Sequence, residues 1–597
     1  MKMMIRFGWK IQGIVFCLVW ALAPAVRGEE KLPPGAEITK IEARPAAVQL
    51  KTPFDYSQLI LTGHLKSGDK IDVTRLAKVE PPPNLVKVSE TGLLRPMADG
   101  SGQLKIAIGS QALQIPVQVN GQKANYDVSF IRDIMPVLSK VGCNAGTCRG
   151  AAQGKNGFKL SLRGYDPIFD HLALTDDIEG RRFNRAAPEQ SLMLLKPTGA
   201  APHQGGVLFN ESDPRYVLIK QWITQGVKLD SNSPRVTKLD VNPKSPVVPL
   251  IGMKQQLAVT ATYSDGSVRD VSNEAFIETS NKDVATVDKN GLVTTERRGE
   301  ATMLARYEGV YDATTLVVMG DRSGFVWQSA PQFNFIDALV DEKLQQMKIL
   351  PSGLCSDEEF VRRVYIDLVG LPPRVEEIKA FVADTRPGQL KRNELVDRLI
   401  ASPDFVEQWT NKWADLLEVN RKFLGEPGAK ALRDWIRKAI AENMPYDKLV
   451  YSILTASGSN VENPPASYYK VQRTPDAVME NTTQLFLAIR FNCNKCHDHP
   501  FERWTQDQYY QLAAYFAQID RKEDAKFKGQ KIGGTDVEAA TPLVELISDT
   551  TKGDVKHERT GVTTPPKFPY TYTGLSDVPQ GTRREKLARW TTSKDNP

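Results

Sequence analysis

The stretch FNCNKCHDHPFERW, residues 491–504, places residue types that can do chemistry at close spacing. It holds two of the six histidines and two of the six cysteines of the 597-residue chain. Cys493, Cys496 and His497 have the C-x-x-C-H spacing of covalent haem attachment, in which two thiols add to the haem vinyl groups and the next imidazole ligates the iron. The spacing therefore predicts haem c here, with His497 as the proximal iron ligand.

Three other chemistries fit the same residues. A disulfide between Cys493 and Cys496 forms easily but leaves the neighbouring histidines unexplained. A metal site made from both cysteines, His497 and His499 has suitable ligand types, although ligands so close in sequence strain a tetrahedral geometry. A thioredoxin-like redox pair needs a βαβ context, whereas this context is helical. No residue is assigned a catalytic role, and the pattern favours an electron-transfer or binding protein over an enzyme.

The sixth iron ligand is not evident downstream of the motif. The last methionine, Met479, precedes the motif, and the downstream histidines are His499 and His557. His499 lies too near His497 to reach the opposite haem face. The candidates are His557, an upstream methionine such as Met479 or Met444, a residue C-terminal to this sequence, or an open site suited to ligand binding or peroxide chemistry.

A second cysteine pair lies in the segment GCNAGTCRG. Cys143 and Cys148 are separated by four residues, and Arg149 stands where haem attachment needs a histidine. A guanidinium stays protonated and does not ligate iron, so a Cys143–Cys148 disulfide is the favoured interpretation. A degenerate haem site is the alternative, and His203 is the histidine placed to complete it.

The N-terminus indicates the compartment. Residues 1–10 carry three basic side chains and no acid, and an apolar run leads to a cleavage position after Gly28. This pattern predicts a signal peptide over residues 1–28, with an uncleaved anchor as the alternative. The protein is therefore expected to be exported to the periplasm or the cell surface, with no membrane span after cleavage.

The net charge limits the kinds of molecule that the protein is expected to bind. The chain has a net charge of +6, and removal of the four basic residues of the signal segment leaves +2. A nearly balanced surface carries no nucleic-acid footprint. The expected partner is a redox protein or a cell-envelope component. Cys355 has no nearby cysteine in the sequence and is expected to be a buried thiol.

Two β-rich segments repeat along the chain. Residues 35–120 and 235–320 read as short alternating strands, and LTGHLKSGDKIDVT in the first parallels VTATYSDGSVRDVS in the second. The simplest interpretation is two copies of one β-domain that act as a structural spacer.

Helical patterns occupy the other segments. Residues 126–230 show helical spacing before Cys143 and again near the end of the segment. Residues 334–520 contain repeated helix-start signals, which make the CNKCH loop a tight connection between two amphipathic helices. Residues 521–582 are polar and read as a connector.

These segments resemble known families. VRRVYIDLVGLPP, LIASPDFVEQWTNKWADLL and CNKCHDHPFERWTQDQYYQLAAYFAQ, within residues 334–520, resemble a planctomycete-type cytochrome-like domain family of uncharacterised function. Residues 126–230, through GFKLSLRGYDP and LIKQWITQGV, resemble the cytochrome-like domain ahead of it in such proteins. SDGSVRDVS and VATVDKNGLVT, in residues 235–320, resemble bacterial immunoglobulin-like (BIG2-type) domains, and residues 35–120 do so less clearly. Residues 583–597, RREKLARWTTSKDNP, look like the start of a further C-terminal domain.

The resemblance implies a multidomain fold: two all-β immunoglobulin-like sandwiches alternating with a small cytochrome-like α domain and a larger mainly α-helical domain. It carries over Cys493 and Cys496 as thioether links and His497 as the proximal ligand. Arg149 departs from the family pattern, in which a histidine follows the second cysteine.

Three functions follow from these patterns. The leading hypothesis is an exported cytochrome-like protein that binds haem at CNKCH and transfers electrons at the cell envelope. The alternative is a non-enzymatic surface or adhesion-type protein with disulfide-stapled cysteine pairs. A weaker alternative is a metal-dependent hydrolase that uses His497, His499 and a carboxylate such as Asp498.

Overall fold

The computed structural model describes residues 30–596, except residues 152, 177–180, 321, 323, 500–503, 535–538 and 571–579. The expected signal peptide, residues 1–28, lies outside the described residues. Among the helices that the structure describes, none combines the length and the apolar character needed to cross a bilayer.

The first sandwich is built from ten strands. They are β1 (Ile38–Arg44), β2 (Val48–Leu50), β3 (Ser57–Gln58), β4 (Ile60–Leu65), β5 (Lys70–Asp72), β6 (Lys78–Glu80), β7 (Val86–Val88), β8 (Leu93–Pro96), β9 (Gly100–Ile108) and β10 (Gln111–Val119). The sheet orders are β1-β4-β5, β2-β10-β9-β6 and β3-β8-β7. Leu104, Ile106 and Ile108 are buried and alternate with exposed residues along β9, so every second side chain enters the core.

The second sandwich repeats this arrangement strand for strand. Its strands are β11 (Val236–Asn242), β12 (Val247–Val248), β13 (Lys254–Gln256), β14 (Ala258–Tyr263), β15 (Val268–Asp270), β16 (Phe276–Thr279), β17 (Ala285–Val287), β18 (Leu292–Thr295), β19 (Gly299–Tyr307) and β20 (Val310–Val318). The sheet orders are β11-β14-β15, β12-β20-β19-β16 and β13-β18-β17. The internal repeat in the sequence is therefore a repeat of topology.

The two sandwiches pack against each other through reciprocal hydrogen bonds. The backbone N–H of Gln58, at the end of β3, donates to Asp270 Oδ2 at 2.5 Å. The N–H of Gln256, at the end of the equivalent strand β13, donates to Asp72 Oδ2 at 2.6 Å. The buried apolar residues of both sandwiches form one continuous core. The repeats are thus a closely packed pair related by approximate twofold symmetry, which differs from the spacer that the sequence suggests.

The small α domain lies between the sandwiches in the chain. It contains a π-helical turn (Phe130–Ile134), α1 (Met135–Lys140), α2 (Pro167–Thr175), α3 (Leu192–Leu195) and α4 (Pro214–Thr224). Asp213 caps α4 by accepting the Arg215 N–H at 2.9 Å. Trp222 of α4 is fully buried and stacks on Phe130, with ring centroids 5.1 Å apart. The last helix and the helix ahead of Cys143 therefore share one core.

The larger helical domain follows the second sandwich. Its elements are α5 (Phe335–Gln346), α6 (Asp357–Val369), α7 (Val375–Ala383), α8 (Gly388–Ile400), α9 (Pro403–Leu416), α10 (Arg421–Ala441), α11 (Tyr446–Leu454), β21 (Gly458–Ser459), α12 (Ser467–Val471), α13 (Pro475–Phe486) and α14 (Gln506–Ala513). The start signals in the sequence act as caps: the Ser356 side chain accepts the Glu359 N–H at 3.2 Å, and Thr505 with Gln508 forms a capping box.

The C-terminal segment packs onto the helical domain. Its elements are β22 (Ile519–Glu523), β23 (Lys531–Ile532), β24 (Thr541–Pro542), β25 (Glu545–Asp549), β26 (Val555–Lys556), β27 (Thr563–Thr564) and α15 (Arg583–Thr591). Strands β21, β25 and β22 form one sheet. Trp590 is fully buried in the helical core, and buried Arg584 pairs with Asp549 at 2.8 Å. The sequence predicts a connector over residues 521–582 and the start of another domain at residues 583–597. In the structure, the described parts of both segments pack as a layer on the helical domain.

Candidate functional site

The CNKCH loop connects α13 to α14 through a short 3-10 turn over Asn492–Lys495. Asn494 is fully buried, and its Nδ2 donates to the Trp504 carbonyl at 2.6 Å. The backbone N–H of His499 donates to the same carbonyl at 2.8 Å. The start and the end of the loop are therefore joined beneath the motif.

The first residue of α14 anchors the loop from the other side. Gln506 is 2 % exposed; its N–H donates to Asp498 Oδ1 at 2.8 Å and its Nε2 to the Lys495 carbonyl at 3.0 Å. The Tyr510 hydroxyl donates to the same carbonyl at 2.8 Å. Asn494 Oδ1 and Gln506 Oε1 are buried without a hydrogen-bond partner among the described residues. Buried polar atoms of this kind are uncommon, and two of those found among the described residues lie at this loop and the start of α14.

The motif residues face outward from this anchored loop. Cys493 and Cys496 are exposed free thiols. His497 Nδ1 lies 2.6 Å from the Asp498 carbonyl oxygen, which can only accept, so Nδ1 carries the proton and the lone pair is on Nε2. A histidine oriented through Nδ1–H to a carbonyl is the usual arrangement of a metal-ligating imidazole. The donor set and the tautomer therefore fit covalent haem attachment.

Tertiary contacts change the electrostatics of the loop in ways that the sequence does not reveal. Burial raises the pKa of Asp498, and the hydrogen bond from the Gln506 N–H opposes this rise. Lys495 within the motif pairs with Asp476 of α13 at 2.7 Å. This ion pair ties the motif to the preceding helix.

Aromatic residues beside the motif could supply the apolar wall that a haem needs, but two of them are buried in the core of the helical domain. Phe491 is fully buried and Trp504 is 6 % exposed; their rings lie 5.2 Å apart in the core of the helical domain. Phe501, a third aromatic residue that could belong to such a wall, lies outside the described residues. The sulfur-bearing side chains of Cys493 and Cys496 are exposed, so the thiols lie on the solvent side of the loop.

The candidate sixth ligands occupy different environments. Met479 is fully buried, and its sulfur lies 3.9 Å from Thr483 Oγ1, while Met444 packs against the same helical core. His557 lies beside the loop, since its ring is 4.6 Å from that of Tyr510. Its Nδ1 accepts the Arg559 N–H at 3.2 Å and its Nε2 lies 3.0 Å from Asp507 Oδ1, so both nitrogens are occupied.

Among the described residues, the side chains near His497 and His499 are not arranged as a metal site. His499 is 9 % exposed, and its carbonyl accepts the Tyr311 hydroxyl. Within the part of the chain that the structure describes, no three His, Cys, Asp or Glu side chains are grouped to hold a metal ion. His497, Asp498 and His499 are therefore neighbours in sequence without a shared ligand geometry.

The second cysteine pair is not joined. Cys143 and Cys148 are free thiols, so the expected disulfide is not formed in this structure. Cys143 lines a cavity of about 270 Å³, and burial raises the pKa of its thiol to about 11. Cys148 Sγ instead lies 3.7 Å from Arg149 Nη1. The two side chains therefore have different surroundings. Cys355, expected to be buried, is partly exposed.

The cavity brings together residues that are distant in sequence. His203, Met193 and Cys143 all line the cavity. The sequence suggests this position for His203 but not for Met193. His203 Nδ1 lies 3.0 Å from the Gly206 carbonyl, so its Nε2 also carries the lone pair. Sequence reasoning missed Met193 and Arg182, which also lines the cavity; the basic pair Arg181-Arg182 was the available signal.

Contacts between domains hold the CNKCH loop at a junction. The Tyr311 hydroxyl, on β20 of the second sandwich, donates to the His499 carbonyl at 2.6 Å. Arg559 pairs with Asp166, the N-cap of α2, at 3.1 Å. The loop therefore lies where the second sandwich and the small α domain meet the C-terminal part of the chain, a placement that no local pattern predicts.

Two segments match known families. Residues 335–521 match PSCyt2, a protein of unknown function (DUF1549), and residues 235–318 match the bacterial Ig-like domain (group 2). The first match covers the CNKCH loop. The bacterial immunoglobulin-like resemblance of residues 235–320 is thereby confirmed, residues 335–521 form a domain of the family of unknown function, and the chain is multidomain.

Similar individual proteins cover other fractions of the chain. Ice-binding protein 1 of Shewanella frigidimarina (strain NCIMB 400) is 40 % identical over 67 residues, which is 11 % of this chain and 8 % of that relative. The structure of S-layer protein SbsC domains 5-6 is 12 % identical, covers 48 % of this chain and 99 % of its own, and has a TM-score of 0.21. SbsC domains 4 and 5 give 12 % identity, 47 % and 99 % coverage and a TM-score of 0.13. TM-scores this low do not establish a shared fold.

Proposed function

We propose that this chain is an exported cell-envelope protein that attaches haem c at the CNKCH loop and exchanges electrons with a redox partner. Cys493 and Cys496 would form the thioether links, and His497 would ligate the iron through Nε2. When bound, the haem would supply one-electron chemistry.

The observation that carries the proposal is the Nδ1–H hydrogen bond of His497 to the Asp498 carbonyl beside two exposed thiols. This bond fixes the imidazole orientation and leaves Nε2 as the ligating nitrogen. The loop is held by Asn494 and Gln506, so its geometry exists before any cofactor arrives.

The solvent-side position of the thiols suits exchange with a partner protein. Phe491 and Trp504 are committed to the core, so a haem at this loop would keep an accessible edge. The Tyr311 contact places the second sandwich next to the loop. This sandwich would then border the surface that a redox partner contacts.

The test is to express the mature chain in a host with c-type haem maturation. We expect a Soret band and a haem stain that survive denaturing electrophoresis. Cys493→Ser/Cys496→Ser should abolish the stain, and Cys143→Ser/Cys148→Ser is the matched control that should keep it. A colourless protein from a host that matures a control cytochrome would refute haem attachment.

A structural role at the cell surface is the second candidate. The reciprocal pairing of the two sandwiches favours it, because a rigid paired unit presents a fixed surface to the envelope. The experiment above separates the two functions. A colourless chain that binds isolated envelope fractions, and loses binding when residues 30–320 are deleted, would support the structural role.

A further inference from the structure

The cavity of the small α domain combines an apolar wall with a cationic lining. Its apolar part includes Leu138, Leu160, Leu174, Phe209 and Ile219. Its cationic side chains are Arg149, Lys155, Arg181, Arg182 and Lys196. Among the described lining residues there is no carboxylate. The apolar wall favours an apolar ligand over water. The cationic side chains of the described lining favour a ligand that carries a negative charge.

Arg149 has unmet hydrogen-bonding capacity among the described residues. Its Nε is buried without a hydrogen-bond partner in the described part of the chain, and its Nη1 contacts only the weak acceptor Cys148 Sγ at 3.7 Å. Its guanidinium carbon lies 5.0 Å from the centroid of the Phe158 ring. The guanidinium of Arg182 lies 3.7 Å from the same centroid. The Arg149 guanidinium therefore keeps hydrogen-bonding capacity that the described residues leave unused.

We propose that this cavity binds a small apolar molecule that carries a carboxylate, and that Arg149 pairs with that carboxylate. The planar guanidinium matches a carboxylate in a bidentate geometry. A cavity of about 270 Å³ is slightly below the range of drug-sized pockets, so the ligand has the size of a medium-length fatty acid or a similar aromatic acid. The Arg149 side chain thus has a binding role at the position where haem attachment would need histidine.

A matched pair of fluorescent probes tests the charge requirement. The full mature chain, with Cys493→Ser/Cys496→Ser to remove the other candidate site, is titrated with 8-anilino-1-naphthalenesulfonate and with its uncharged analogue N-phenyl-1-naphthylamine. We expect the sulfonate to bind more tightly. Arg149→Gln should weaken sulfonate binding roughly 10- to 100-fold, the range for a lost charged hydrogen bond, and leave the neutral probe unchanged.

Two controls locate the effect. Arg185→Gln removes an equal charge from an exposed position of the same domain and should change neither affinity. Met193→Trp should fill the cavity and weaken both probes. Equal affinity of the wild-type chain for both probes, or full binding to Met193→Trp, would overturn the proposal. The neutral probe also reports whether Arg149→Gln retains the folded cavity.

Competition identifies the source of the carboxylate. Dodecanoate should displace the sulfonate probe, whereas dodecanol should not. Displacement by protoporphyrin IX instead of dodecanoate would identify the ligand as a tetrapyrrole acid. Failure of both acids to displace the probe would contradict the assignment of a carboxylate ligand.

Discussion

Asp170 is a fully buried carboxylate in α2 of the small α domain. Ser161 donates to it twice, through its backbone N–H at 2.5 Å and its hydroxyl at 2.6 Å. Burial raises the pKa of Asp170 to about 7, and the two Ser161 hydrogen bonds oppose the rise. The contact holds the segment that ends at Ser161, which includes cavity residues Phe158 and Leu160, against α2.

The sign of the pH dependence follows from this raised pKa. The folded domain keeps the Asp170 proton up to about pH 7, whereas the unfolded chain loses it near pH 4, so stability falls as pH rises through that window. From pH 5 to pH 8 the loss is about 2.5 kcal/mol. Asp170→Asn stays neutral; its Oδ1 can still accept the Ser161 N–H, and its Nδ2 can donate to the Ser161 hydroxyl oxygen in place of accepting from it. The substitution should therefore remove this slope and make the domain more stable than the wild type at pH 8.

The measurement is urea unfolding read by pulsed hydrogen exchange. Samples equilibrate at pH 5 or pH 8 and are labelled at one fixed pH, and peptides from α1 and α4 report the domain. Asp176→Asn, at the exposed end of the same helix, is the matched control and should keep the wild-type slope. A slope that is unchanged in Asp170→Asn, or stability that rises with pH in the wild type, would refute the reasoning.

Three further predictions concern the thiols and the domain contacts. At pH 8, iodoacetamide should modify Cys493 at least about 100-fold faster than Cys143, because burial raises the Cys143 pKa to about 11 and leaves little thiolate; peptide mass spectrometry measures both rates. Tyr311→Phe should speed hydrogen exchange in the CNKCH loop about fivefold, since a bond of about 1 kcal/mol to the His499 carbonyl is lost. Asp72→Ala should destabilise the paired sandwiches by about 2–4 kcal/mol in thermal unfolding, because the Gln256 N–H loses its buried acceptor.

A specific result would contradict each of these predictions. Equal alkylation of both thiols would mean that Cys143 is not held in the cavity. Unchanged exchange in the loop would mean that the second sandwich does not restrain it. Glu80→Ala is the control: it removes an exposed carboxylate from the first sandwich and should lower the stability only slightly. If Asp72→Ala lowers the stability no more than Glu80→Ala does, the reciprocal hydrogen bonds do not stabilise the pair.

Local patterns in the sequence predicted much of the architecture. The alternation along β9 and the caps at Ser356 and Thr505 are fixed by residues within a few positions of one another, and the structure has them at those places. The repeat was readable because both copies use the same turns and strands. The sequence does not predict whether Phe491 and Trp504 lie in the core or line a cofactor, because apolar residues beside a motif suit either position.

The amino-acid sequence specifies the chemical groups: a CNKCH motif, a second cysteine pair followed by Arg149, and the strand and helix periods around them. Which of these groups come into contact depends on the tertiary structure. It placed Cys143 and His203 in one cavity, and Tyr311 against His499 across 188 positions of the chain. The reason is physical: spacing within a helix or turn follows from the backbone, whereas contacts between distant residues depend on how buried surfaces of whole domains fit together.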